Sequence, residues 1–251
     1  MPHASRPATR PRPFAIAALI AAALLAGCAN TISADRVASI VGSPERSAAD
    51  RGNDARRKPA EVLTFIGVRP GSTALDVSAA RGYTTELIAR AVGPQGKVYA
   101  QTQAPTPAAL GERARNPATS NIVPVVRPVQ DPVPPEAAHD ALDLVTLMFN
   151  YHDLGHMGVD RARINRAIFD ALKRGGMYVI ADHSGRPGTG ISESGTLHRV
   201  EEAFVIAEVQ AAGFRLAASG NFLRNPADPR DRETPEPPMA KDEFVLKFVK
   251  P

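Results

Sequence analysis

Apolar positions along this chain switch back and forth between two periods. Short, nearly continuous apolar runs occupy residues 73–77, 97–101, 122–126, 142–149, 177–181, 214–218 and 243–249. Their length and their β-branched residues predict strands. Between them lie stretches with apolar residues three and four apart. Leu87, Ile88, Ala91 and Val92 mark a helix over 83–92, and Ile164, Ala167, Ile168, Ala171 and Leu172 mark one over 160–172. Further helices are predicted over 58–66, with Pro59 in the first turn, over 107–115, and over 195–212, ending at Gly213. Strands that alternate with helices predict a doubly wound, Rossmann-like α/β sheet of seven strands, mostly parallel. The last two strands have only a Pro-rich loop between them, so the final strand is expected to be antiparallel.

The N-terminus follows a different pattern. Arg6, Arg10 and Arg12 precede an apolar run from Phe14 to Leu25, and Leu25-Ala26-Gly27-Cys28 follows. This reads as a secretory leader with a bacterial lipoprotein cleavage box. Residues 1–27 are the expected signal peptide, 28–47 a tether, and 48–251 one folded domain. Acylation of Cys28 would anchor the chain on a membrane at the periplasmic side of the envelope. Ala29, a non-acidic residue after the acylated position, points to the outer membrane. Cys28 is the only cysteine, so no thiol is left for a disulfide, a nucleophile or a sulfur metal site. The formal charge of +4 includes three leader arginines, and the remainder is close to neutral. With no basic stripe interleaved with aromatics, nucleic acid is excluded as a partner.

The chemistry-bearing pattern is Thr73-Ala-Leu-Asp-Val-Ser-Ala-Ala-Arg-Gly82. It reads as a strand, a loop of small residues and the start of a helix, a geometry that brings backbone close to a ligand at a helix N-terminus. A second group follows strand four: Asn150, Tyr151, His152 and Asp153. Ligands of open α/β sheets sit beyond the carboxyl ends of the strands. Asp182 and His183 leave strand five on the same edge, and His156, His198 and Glu201 are close enough in the chain to join an imidazole–carboxylate cluster. No compact metal-binding motif is present, and the expected metal assignment is none.

On the residues Ala74-Leu-Asp-Val with Gly82, Asp143-Leu-Val-Thr-Leu and Leu172-Lys-Arg-Gly-Gly-Met-Tyr-Val-Ile-Ala181, residues 59–251 resemble a class I S-adenosylmethionine-dependent methyltransferase. Asn150-Tyr-His-Asp153, Thr196-Leu-His-Arg199 and Leu223-Arg-Asn-Pro-Ala-Asp228 are similar to a group of exported bacterial proteins described as methyltransferases on sequence grounds. The resemblance implies S-adenosylmethionine as cofactor, held by Asp76, Ser78, Ala80, Gly82, Gln101 and Asn150. It implies His152 as general base, with Asp153 orienting it, and a small-molecule or envelope-associated acceptor near Tyr151, His183 and His198. Two positions depart from the family pattern. Ser78 and Ala80 stand where its first motif has glycine, and Gln101 stands where an acidic residue accepts from the ribose. The methyl donor is made in the cytoplasm, whereas the leader sends the chain outward. Two other readings therefore stay open: a non-catalytic small-ligand binder, and a metal-assisted hydrolase using the His and Asp cluster.

Overall fold

The computed structural model describes residues 32–103 and 105–251. Cys28 and the expected leader lie outside them. The elements run α1 (Ala34–Val41), α2 (Ala48–Arg57), α3 (Pro59–Ile66), β1 (Thr73–Val77), α4 (Tyr83–Val92), β2 (Lys97–Thr102), α5 (Ala108–Arg115), β3 (Ile122–Val126) and β4 (Leu142–Met148). They continue with α6 (Arg161–Ala171), β5 (Leu172–His183), α7 (Ser194–Leu197), α8 (Glu202–Ala211), β6 (Arg215–Gly220) and β7 (Glu243–Val249). One sheet holds all seven strands in the order β3-β2-β1-β4-β5-β7-β6. β1 to β5 pair in parallel, and β7 runs antiparallel between β5 and β6. The order reverses between β1 and β4, which is the switch point where such sheets open a crevice.

Period-two alternation sends successive side chains to opposite faces. Ala74, Leu144 and Val179 face one core with α1, α3 and α4, while Leu75, Val145 and Ile180 face the other with α6 and α8. Asp76 therefore shares a face with Ala74, toward α4. Its register partner is Thr146.

Three sequence expectations differ from the structure. The first concerns the tether: residues 34–41 form α1, capped by Ser33, with Val37 and Ile40 buried in the core. The apolar spacing of Val37, Ile40 and Val41 is that of an amphipathic helix, and burying this stripe draws the segment into the domain. The second concerns β5, which starts at Leu172 rather than Met177. Leu172 pairs with Leu142 and Met177 with Leu144, so Lys173–Gly176 form an excursion from the ladder, turned by Gly175 at φ 75°. The third is the single helix over 195–212, which is two helices. His198 breaks it in the left-handed region (φ 51°, ψ 52°), and Val200 bridges to Ser184. The cause is tertiary. The fully buried Arg199 donates to Asp228 at 2.9 Å and to the carbonyl of Ser184 at 3.0 Å, which a continuous helix would not permit. The same pair fixes the Leu223–Asp228 segment, a clasp away from the crevice.

Candidate active site

The loop after β1 closes on an unusual backbone. Ser78, Ala80 and Gly82 all have positive φ, at 54°, 48° and 84°, a conformation that costs an L-residue about 1–2 kcal/mol. Neighbouring hydrogen bonds hold it. The amide N–H of Ser78 donates to Oε1 of Gln101 at 2.9 Å, and that of Ala79 donates to the Gln101 carbonyl at 2.8 Å. Gln101 also donates through Nε2 to the Arg127 carbonyl at 2.7 Å and is fully buried. It is thus a buried loop anchor that does not line the cavity opening above the loop, contrary to the expected ribose contact. Gly82 is required for packing: a Cβ there would lie 2.9 Å from side-chain atoms of Arg113 and Leu110.

Asp76 sits beneath this loop. It accepts from Oγ1 of Thr85 at 2.6 Å and of Thr146 at 2.7 Å, and from the Thr85 amide at the start of α4. Burial raises its pKa to about 6 despite these hydrogen bonds and the nearby Arg57. Its position at a helix N-terminus favours the charged form.

Loop and strand ends open onto a cavity of about 850 Å³, whose lining includes Arg57, Asp76, Ser78, Ala80, Phe149 and Asn150. Phe149 leaves β4 at φ 63°, rare for a bulky residue and a mark of local strain. Its ring carries the Arg57 guanidinium 4.3 Å from its centroid. Arg57 comes from α2, and its pKa is lowered by burial and by Arg56. Among the described residues no carboxylate lies within ion-pair distance of it. On the far wall, Arg113 pairs with Asp50 at 2.7 Å and with Glu86, which also holds Arg90. This network ties α2 to α4 and α5 across the cavity.

The segment after β4 divides in two directions. Asn150 lines the cavity and donates to Oδ2 of Asp153 at 2.9 Å. Tyr151 turns the other way, against expectation. It is fully buried, donates to Glu208 at 2.8 Å and accepts from Asn165 at 3.0 Å. Burial pushes its hydroxyl pKa well up, and it is a core residue. His152 is 4% exposed, with Nδ1 2.6 Å from Oδ1 of Asp182 and Nε2 3.2 Å from Oδ1 of Asp153. Burial opposes charge on this ring, but the two carboxylates outweigh it and raise its pKa to about 9. The protonated ring that these carboxylates favour works against the expected role of general base, because an imidazolium has no lone pair with which to take a proton. Asp153 is likewise opposed by burial, but hydrogen bonds from His152 and Asn150 hold it well below the usual carboxylate range.

His198 joins this group, its Nδ1 3.6 Å from Oδ1 of Asp153. His183 stacks near Phe149 and lies 3.0 Å from Glu243, behind the cavity wall. Glu201 turns away and accepts from the Gly190 amide at 2.9 Å. Asp182, expected only as a member of the wider cluster, is the fully buried partner of His152. The helix α2 that carries Arg57 to the cavity was not legible in the sequence, because its polar residues have almost no apolar periodicity.

No family model and no curated protein sequence matches the chain significantly. Solved structures do match by fold. A SAM-dependent methyltransferase from Aquifex aeolicus is 16% identical, covering 88% of this chain and 100% of its own, with a TM-score of 0.61. The 1,6-didemethyltoxoflavin-N1-methyltransferase of Burkholderia thailandensis, crystallised with S-adenosylhomocysteine, is 17% identical over 98% of this chain and 93% of its own, with a TM-score of 0.56. A [4+2]-cyclase, SpnF, is 16% identical over 86% and 92%, with a TM-score of 0.57. The chain therefore has the Rossmann-like fold of class I SAM-dependent methyltransferases, a fold that also serves a cyclase.

Proposed function

We propose that this chain is an S-adenosylmethionine-dependent methyltransferase acting on a small-molecule or envelope-associated acceptor, and that it is exported and lipid-anchored through Cys28. The observation that carries the enzymatic reading is the loop Ser78–Gly82. Residues that are not glycine hold glycine-like dihedrals at alternate positions there, and strain of this kind persists where a ligand needs the backbone shape. The residues present fit the cofactor. A volume of about 850 Å³ suits a small ligand. Asp76 faces the cavity as a carboxylate for an ammonium group, and Arg57, 4.3 Å from the Phe149 ring centroid, is placed to bind a carboxylate. When bound, the donor supplies a sulfonium methyl: the S–CH₃ bond breaks with its electron pair kept by sulfur, while an acceptor lone pair forms the new bond and the acceptor proton is released. The chain's own contribution is to hold both partners in line between α2 and the strand ends. Asn150 would contact the donor or acceptor at the cavity's edge.

Incubating the full chain with methyl-labelled donor and envelope extract tests this reading. Label transferred to an extractable small molecule or envelope component supports it; no transfer above that of an Asp76→Ala variant would refute it. For the anchor, metabolic lipid labelling should mark the wild-type chain and not Cys28→Ser, and equal labelling of both would overturn the lipoprotein reading.

A further inference from the structure

Beside the cavity, across Asn150 from it, three potential ligand atoms converge. They are Nε2 of His152, a carboxylate oxygen of Asp153 and a ring nitrogen of His198, all within 4.8 Å of one another. The separations along the group, 3.2 Å from Asp153 Oδ1 to His152 Nε2 and 3.6 Å to His198 Nδ1, suit ligand atoms that share one ion at about 2.0–2.2 Å.

Two further features prepare these atoms for an ion. Asp182, fully buried on β5, sits 2.6 Å from Nδ1 of His152 and also accepts the His152 amide at 2.7 Å. A carboxylate on Nδ1 keeps a proton there, and an ion at Nε2 would displace the second ring proton, as happens at metal-bound histidines with such outer partners. His198 reaches Asp153 from a left-handed backbone (φ 51°). That strain is maintained because the next residue, Arg199, is locked in its buried pair with Asp228. Strain of this kind, over-determined by its surroundings, gathers at functional positions. Asp153 and His198 are 28% and 38% exposed at their side chains, which leaves a path of entry.

We infer that His152, Asp153 and His198 bind a divalent transition-metal ion, with Asp182 as the residue that orients His152. Two imidazoles and one carboxylate suit zinc or iron(II) and leave coordination positions open. An open position would take an acceptor hydroxyl and lower its pKa, so that its proton passes to the solvent that reaches this exposed site before methyl transfer. This last role rests on the methyltransferase reading, but binding of the ion does not.

The test uses untagged full-length chain, stripped with chelator and titrated with Zn²⁺ by calorimetry, with Co²⁺ absorption as a second readout. One ion per chain is expected. His198→Gly is the informative variant: glycine accepts the left-handed dihedral, so the melting temperature should hold or rise while zinc affinity falls at least about tenfold. Asp182→Asn should weaken zinc by about 10–100-fold. Absence of stoichiometric uptake by the wild type, or unchanged affinity in both His198→Gly and Asp153→Asn, would overturn the site. A separate titration of the same metal-free protein with S-adenosylhomocysteine keeps the two claims apart. Zinc binding without nucleoside binding sinks only the methyltransferase reading, and nucleoside binding without zinc binding sinks only the metal site.

Discussion

The Ser78 amide donates to the Gln101 side-chain oxygen at 2.9 Å, across the gap between the β1 loop and the end of β2. An amide side chain is suited to this place because its nitrogen must also donate to the Arg127 carbonyl at 2.7 Å. A carboxylate has no proton for that bond. Gln101→Leu removes both partners and leaves buried backbone groups unpaired, at a cost of about 1–3 kcal/mol for each group left without a partner. Denaturant unfolding should show the loss, and the freed loop should bind S-adenosylhomocysteine more weakly. An unchanged midpoint would mean that Gln101 does not hold the loop.

Ser78 and Ala80 occupy conformations that glycine adopts without steric cost. Replacing either by glycine relieves about 1–2 kcal/mol of strain, offset in part by about 0.5–1 kcal/mol of chain entropy. Ser78→Gly and Ala80→Gly should therefore be neutral to mildly stabilising in thermal melts. Ala80→Val should be clearly destabilising, because a β-branched side chain is poorly tolerated at φ 48°. Gly82→Val should damage folding itself, since its side chain would strike Arg113 and Leu110. A folded, stable Gly82→Val protein would contradict the packing described for α5.

Breaking the Arg199–Asp228 pair leaves a buried charge without its partner. Arg199→Met or Asp228→Asn should each cost about 3–5 kcal/mol, measured by urea unfolding. Because the pair lies outside the cavity, the ligand affinity of whatever remains folded should change little. A loss under 1 kcal/mol would show that the pair is not buried in solution.

How much of this was legible beforehand depended on the range of the interactions. β1, α4 and β4 were readable to within a residue, because continuous or periodic apolar runs bounded by glycines or polar residues are local signals. The place of Asp76 at the cavity was readable for the same reason: it interrupts an apolar strand just before a loop of small residues. The break at His198 was not readable. The run 195–212 is helical by pattern, and the break is imposed by Asp228, which is distant in sequence. The inward turn of Tyr151 depends on the short helical turn at His152–Gly155 and on Glu208. The pairing of His152 with Asp182 depends on the register of β4 with β5. Single-chain periodicity carries none of these.

Asp76 gives a pH signature with two opposite signs. Its folded pKa of about 6 is above the usual value of 3.8, so the folded state binds more protons than the unfolded one between them. Stability from this residue is full below about 3.8, is lost as pH rises through about 6, and is level above. Affinity for a ligand ammonium should run the other way, weakening as pH falls through about 6. Asp76→Asn should flatten both curves. Calorimetric affinities and melting temperatures across pH 4 to 8, roughly spanning both values, check this; ligand affinity independent of pH in the wild type would remove Asp76 from the site.

The most direct test of the account is calorimetric titration of the full chain with S-adenosylhomocysteine at pH 7.5, a value well above the Asp76 pKa of about 6. The predicted result is saturable binding of one nucleoside per chain. Asp76→Ala and Arg57→Ala should each weaken it by at least about tenfold, the equivalent of about 1.4 kcal/mol, with circular dichroism unchanged. No heat of binding in the wild type, or full affinity in both folded variants, would contradict it.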